Sequence, residues 1–207
     1  MKVRLGCSLW NVARADPGQE ARRLSYAGVR LFHWDRTDGS FAPSGGYTAE
    51  NASFITTNLA LRAEAHLMMT DPRPEIDQWC EFCELVIVPI EIDVCHDAIR
   101  RIEKRGVQAG VAISPMTPLP SLTEIHGLPV LCMSVPPGRA GSSFLPTTYA
   151  RVRALRHLFY CGVDGGITAD CIAPLREAGA SWIVVGTDLL NAPDPRAWLE
   201  SAGVGVP

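Results

Sequence analysis

Residues 29–66 read VRLFHWDRTDGSFAPSGGYTAENASFITTNLALRAEAH, and this stretch decides the fold. An apolar run opens it at Val29–Trp34. A helical pattern follows over Thr48–Asn58, and a second apolar run, Leu61–His66, closes it. The runs are almost continuously apolar rather than alternating, as expected of strands covered on both faces. Strand, helix and strand in that order make a parallel pair joined by a right-handed crossover.

The same alternation extends to both ends of the chain. Strands are expected at Val3–Ser8, Val29–Trp34, Leu61–His66, Leu85–Ile90, Gln108–Ile113, Pro129–Met133, Leu158–Val163 and Trp182–Val185. Helices are expected at Gly18–Ala27, Thr48–Asn58, Glu75–Phe82, Val94–Arg105, Ser121–His126, Thr147–Arg156, Ala169–Ala178 and Asp194–Ser201. Eight strand–helix units in 207 residues leave about 26 residues per unit, short but sufficient for an α/β chain closed as a (β/α)8 TIM barrel. No linker or low-complexity run interrupts the pattern, so residues 1–207 are expected to form one domain. A doubly wound open sheet is the other arrangement of such units. It would want a glycine-rich turn after the first strand, and Cys7-Ser8-Leu9-Trp10-Asn11 is not one.

Composition narrows the function. Hydrophobic residues make up 47% and charged residues 20%, at a mean hydropathy of +0.08, which is globular rather than disordered. A net charge of -3 disfavours a nucleic-acid-coating surface. No apolar run approaches the roughly 18 residues of a membrane span. The opening MKVRLGCSLW lacks the pattern of a secretion signal, so a cytoplasmic location is expected. Most of the seven cysteines read as buried thiols, and Cys80-x-x-Cys83 reads as packing rather than a functional pair. Of the 19 basic residues only Lys2 and Lys104 are lysine, and both fall where the pattern puts the bottom of a barrel. Schiff-base chemistry at the top therefore has no lysine to use.

Barrel enzymes act at the C-terminal ends of their strands. The second strand runs into His33-Trp34-Asp35, and residues two apart share a face, so His33 and Asp35 both point inward. The third strand ends at His66 and the seventh at Asp164. Two imidazoles and two carboxylates converging on one mouth suit a divalent cation, Zn, Fe, Mn or Co. Such a cation, chelating a ketone oxygen and the adjacent hydroxyl, would acidify the C–H between them. Asp35 and Asp164, from opposite sides of the barrel, could then remove a proton from one face and return it to the other. His96, His126 and His157 lie on or beside helical patterns and read as structural. Glycine-rich turns follow three neighbouring strands: Gly138–Ser143 after the sixth, Gly165-Gly166 after the seventh, and Gly186-Thr187 after the eighth. Backbone N–H groups freed by glycine commonly hold phosphate at that place in a barrel.

With these residues in view the chain resembles the ribulose-phosphate 3-epimerase family. The stretches that carry the resemblance are Ser8–Asn11, His33-Trp34-Asp35 with Asp38-Gly39 and Pro43, His66-Leu67-Met68, Gly110–Pro118, Met133–Gly138, Asp164-Gly165-Gly166 and Ala178–Ala180. The resemblance implies a barrel of the ribulose-phosphate-binding type that interconverts D-ribulose 5-phosphate and D-xylulose 5-phosphate. It implies one divalent metal on His33, Asp35, His66 and Asp164, with Asp35 and Asp164 as the acid/base pair. Ser8, Met68 and Met133 would contact the substrate, and Gly141, Ser142, Gly165, Gly166, Gly186 and Thr187 its phosphate. A homo-oligomer acting on a phosphorylated ketose, with no nucleic acid or membrane partner, is expected.

The chain departs from the family pattern around that set. Arg36-Thr37 stands where Val-Met is usual, removing one methionine from the cavity. Arg139-Ala140 interrupts the glycine turn, Pro89 and Ser114 replace a frequent His and Asn, and residues 44–47 differ. Epimerisation of another ketose phosphate, such as a hexulose 6-phosphate, is therefore a close alternative. A catalytically idle sugar-phosphate binder is a more distant one. A synthase or decarboxylase of related fold would want Asp-x-Lys-x-x-Asp, and the nearest segment, Asp35-Arg36-Thr37-Asp38, has no lysine.

Overall fold

A computed structural model describes residues 3–10, 16–121, 123, 125, 127–139, 141–158 and 160–203. The strands are β1 (Arg4–Ser8), β2 (Leu31–Thr37), β3 (Gly45–Gly46), β4 (Arg62–Met68), β5 (Leu85–Pro89), β6 (Gln108–Ile113), β7 (Val130–Met133), β8 (Cys161–Asp164) and β9 (Trp182–Val185). The helices are α1 (Pro17–Ala27), α2 (Ala49–Asn58), α3 (Ile76–Trp79), α4 (Cys95–Lys104), α5 (Thr148–Leu155), α6 (Ala169–Ala178), α7 (Thr187–Leu190) and α8 (Pro195–Ser201). The sheet order β1-β9-β8-β7-β6-β5-β4-β2, with β1 also paired to β2, closes a barrel of parallel strands. β3 is antiparallel to β2 and lies outside the closed ring.

Local signals explain the helix ends. Asp16 caps α1 by accepting from the Gly18 and Gln19 amides, with Pro17 in the first turn, and Asp194 does the same for α8 ahead of Pro195. Gly179 closes α6 at a φ of 112°.

Every second strand residue points out to the helices. Phe32, Trp34, Ala63, Ala65, Val86, Val111, Val163 and Ile183 belong to that outer apolar layer. The alternate residues fill the barrel: Leu85, Ile87, Ala112, Leu131, Met133, Trp182 and Val184 form its apolar half. The other half is polar or small, with Arg4, Gly6 and Ser8 on β1, His33 and Asp35 on β2, and Glu64 and His66 on β4. Gly162 is small because Trp182 crosses the barrel beside it: a Cβ on Gly162 would lie 2.2 Å from the indole ring. Trp182 is fully buried and its indole N–H donates to Glu64 at 3.0 Å, so the ring has nowhere to retreat. Gly162→Ala is expected to cost about 1–3 kcal/mol of stability, the usual range for overpacking. Urea unfolding checks this, and Trp182→Leu in the same chain should relieve most of the loss.

Several expected boundaries move. β2 and β4 each run past their expected ends, to Thr37 and Met68, because the two pair along their full length and β3 adds Arg36↔Gly46 and Thr37↔Gly45. His33, Asp35 and His66 therefore sit within strands rather than at strand ends. β8 begins at Cys161 instead of Leu158. No helix forms at residues 121, 123 and 125, while the rest of the expected helix Ser121–His126 lies outside the described residues. The short helix α7 was not expected. Lys104 ends α4, at the bottom of the barrel, whereas Lys2, Asn11, His126 and Ala140 lie outside the described residues. His96 and His157 are exposed on the helical side. Cys80 and Cys83 are free thiols that burial pushes above the ordinary range. No helix among the described residues is long and apolar enough to cross a membrane.

Candidate metal centre and sugar-phosphate cavity

The barrel register brings the expected ligands together. Asp35 on β2 stands beside His66 on β4, Ser8 on β1 beside His33, and Asp164 on β8 beside Met133 on β7. One ligand atom from each of His33, Asp35, His66 and Asp164 fits within a span of 4.8 Å. Asp35 Oδ1 lies 3.4 Å from His33 Nε2 and 3.5 Å from His66 Nδ1, and Asp164 Oδ2 lies 4.0 Å from His66 Nδ1. The other Asp35 oxygen accepts the Ser8 hydroxyl at 2.7 Å. The strands carrying the two aspartates, β2 and β8, are separated by β1 and β9 on one side and by four strands on the other. The carboxylates thus approach the site from different sides, though not from diametrically opposite ones.

Burial and charge act strongly here. The imidazoles are 0% and 1% exposed, beneath the carboxylates that face the cavity. Burial pushes the Asp164 carboxyl up to about 6, and the Asp35 charge adds to the effect. Asp35 is also buried, yet His33 and His66 hold it well below the usual carboxylate range. His33 is raised well above its ordinary value because Asp35 and Glu64 outweigh its burial. His33 Nε2 and both ring nitrogens of His66 are buried without a hydrogen-bond partner. Buried polar atoms are rarely left so. Orphaned imidazole nitrogens facing carboxylate oxygens are the donor set of a divalent first-row cation, and the residues fit one.

Above the cluster opens a cavity of about 330 Å³, the size of a small-molecule site. Asp35 and Asp164 line its deep end with Ser8, Met68 and Met133. Gly141, Ser142, Gly165, Gly166, Gly186 and Thr187 line its outer end. Gly166 has a φ of 62°, and a Cβ there would lie 2.4 Å from the Phe144 amide nitrogen and 2.5 Å from the Ser142 carbonyl. Only glycine lets the turn after β8 lie flat against the loop after β7. All the expected substrate contacts therefore share one cavity with both aspartates.

Comparison with known protein families settles the kinship. The model of the ribulose-phosphate 3 epimerase family matches residues 4–190. The chain belongs to the ribulose-phosphate 3-epimerase family. Family membership makes it an epimerase, an isomerase-class enzyme of carbohydrate chemistry. A ribulose-phosphate 3-epimerase of Aquifex aeolicus (strain VF5) is 31% identical over 191 residues, covering 87% of this chain and 86% of the relative. One of Chlamydia pneumoniae is 32% identical over 204 residues, covering 92% and 89%. Among solved structures, 3-hexulose-6-phosphate synthase from Salmonella typhimurium superposes with a TM-score of 0.73 at 18% identity, over 99% of this chain and 98% of that one. At that identity the likeness shows the shared barrel alone.

Two departures of this epimerase from its family acquire a structural account. Thr37, buried on the same strand face as His33 and Asp35, donates its hydroxyl to the Pro43 carbonyl at 2.7 Å, tying down the loop before β3. Arg36 points outward into a bidentate pair with Glu75, at 2.9 and 3.1 Å. Arg139 lines the cavity, adding a cation to its outer half. Trp10 and Glu64 were missed as site residues. Trp10 lines the cavity where its ring lies over Gly45 and Gly46, and its signal was its place in the Ser8–Asn11 stretch beside Ser8. Glu64 touches His33, and its signal was parity: two residues before His66, it shares that residue's inward face.

Proposed function

We propose that this chain inverts C3 of D-ribulose 5-phosphate to give D-xylulose 5-phosphate, with Asp35 and Asp164 as the acid/base pair. The observation that carries the reading is the juxtaposition of two carboxylates with three orphaned imidazole nitrogens at the deep end of a cavity whose outer end is glycine-rich. His33, Asp35, His66 and Asp164 would hold one divalent cation, Zn, Fe, Mn or Co. Bound there, the cation supplies the positive charge that stabilises negative charge developing on the oxygens beside C3.

The remaining work falls to the chain. The backbone turns at Gly141, Ser142, Gly165, Gly166, Gly186 and Thr187 bind the phosphate and fix the sugar's depth. One aspartate takes the C3 proton, and the other delivers a proton to the opposite face of the planar intermediate. Ser8 orients Asp35 by its hydrogen bond. Met68 and Met133 keep water from the intermediate, so that it is reprotonated by a carboxyl and not by solvent.

The test is incubation of the metal-loaded protein with D-ribulose 5-phosphate in deuterium oxide. Xylulose 5-phosphate carrying deuterium at C3 is expected. Binding without exchange would make the chain an idle sugar-phosphate binder. Faster exchange on a hexulose 6-phosphate would move the substrate, leaving the mechanism in place.

The outer half has its own test. Gly166→Ala forces the turn away from Ser142 and Phe144. KM for the phosphorylated substrate should rise about tenfold or more, equivalent to about 1.4 kcal/mol of lost binding. The kcat should change less, because the aspartates are untouched. Steady-state kinetics separates the two.

A further inference from the structure

Beneath His33 the barrel holds a carboxylate that the proposed chemistry does not use. Glu64 is 0% exposed. Its Oε1 lies 2.7 Å from His33 Nδ1 and accepts the Trp182 indole N–H at 3.0 Å. Its Oε2 accepts from the Arg4 guanidinium at 2.8 Å. Arg4 also donates to the Tyr160 hydroxyl at 3.3 Å and pairs with Glu84, so it is anchored toward the bottom of the barrel. A carboxylate in this company offers only acceptors. His33 Nδ1 must therefore carry a proton, so the neutral imidazole, the form that binds a metal, has its lone pair on Nε2, facing the Asp35–His66–Asp164 cluster.

The space for this carboxylate is equally specific. Gly6 on β1 faces it, and a Cβ at position 6 would lie 2.7 Å from Glu64 Oε1. That is closer than real Cβ contacts come. A glutamate reaches His33 here only because residue 6 has no side chain.

We propose that Glu64 is the positioning residue of the metal centre, setting the tautomer and orientation of His33, and that Gly6 is the gap that lets it reach. The inference rests on the metal-site reading above. Imidazole ligands held by an ionised partner bind metal more tightly, and loss of such a partner typically costs about 10–100-fold in affinity.

The experiment is titration of the metal-free protein with Co(II), followed by visible absorption, and with Zn(II), followed by calorimetry. Thermal melts of the metal-free proteins report folding separately. Glu64→Gln removes the charge, and Gly6→Ala keeps the charge but displaces Oε1 from His33. Each should weaken metal binding by about 10-fold or more and shift the Co(II) bands. Glu64→Asp, which keeps the charge but withdraws the carboxylate from His33 by one methylene, should weaken metal binding as Glu64→Gln does, whereas a general packing defect would show in the thermal melt and leave the Co(II) bands in place. Wild-type affinity and spectrum in folded Glu64→Gln, Glu64→Asp and Gly6→Ala would overturn the proposal. A wild-type protein that takes up no metal would overturn the metal-site reading itself, so the two failures are told apart.

Discussion

Asp35→Asn and Asp164→Asn are each expected to stop net epimerisation, with a loss of at least about 10²–10⁴-fold from the acid–base contribution alone. The more informative result lies in isotope exchange. If the aspartates serve opposite faces of a planar intermediate, each variant keeps one of them. The surviving carboxyl can still take a proton from the epimer on its own side and return one from solvent. Each variant should therefore wash deuterium into one pentulose phosphate only, and the two variants should label opposite epimers. Metal content must be measured alongside, because both residues belong to the candidate ligand set, and Asp35 Oδ1 lies within 3.5 Å of both imidazoles. A variant that retains metal and still labels both epimers would eliminate the two-aspartate scheme. If only Asp164→Asn retains metal, its exchange pattern alone decides the matter, since Asp164 lies farther from the imidazoles, with its closest approach at 4.0 Å.

The pairing of His33 with Asp35 was legible because strand geometry fixes it: two residues apart is the same face, whatever the sheet around them. The order of strands and helices was legible for a similar reason, since strands covered on both faces print as apolar runs. What those runs conceal is which half of their residues points into the barrel. In Leu85-Val86-Ile87-Val88 the inward pair, Leu85 and Ile87, and the outward pair, Val86 and Val88, look alike in composition, yet they belong to two separate cores. Glu64 was passed over on the same account. A lone glutamate in an apolar strand takes on meaning only when β1 and β9 bring Arg4 and Trp182 to it, 60 and 118 residues away along the chain. Strand ends were misplaced where pairing, not propensity, extends the ladder. Thr37 is a strand residue because Gly45 lies opposite it, and nothing within Val29–Trp34 announces that partner. The helix α7 escaped notice because four residues hold too little periodicity to register.

Stripping the metal with a chelator should abolish turnover, and Zn, Fe(II), Mn or Co should restore it, but the stability of the stripped protein as a function of pH says more about the site. In the metal-free fold His33 is raised well above its ordinary value. The stabilisation from its charged form is complete below the ordinary histidine value of about 6.5 and is lost as pH rises through the higher folded value. Asp164 acts in the same direction. Raised from 3.8 to about 6, it keeps a proton in the fold that the unfolded chain has already released. The folded state thus binds more protons at both groups, and stability falls as pH rises. Asp35 is lowered instead, so its contribution is lost only as pH falls below the ordinary carboxylate range. Above about pH 4 the metal-free protein should therefore melt at progressively lower temperature as pH increases. Metal binding runs the other way, because it needs unprotonated imidazoles and ionised carboxylates. The gap in Tm between loaded and stripped protein should widen steadily from about pH 5.5 to about pH 8.5. Differential scanning fluorimetry of the two forms measures it. A gap that stays flat over that range would mean that no protons leave the cluster when the cation enters, and that His33 and Asp164 do not hold it.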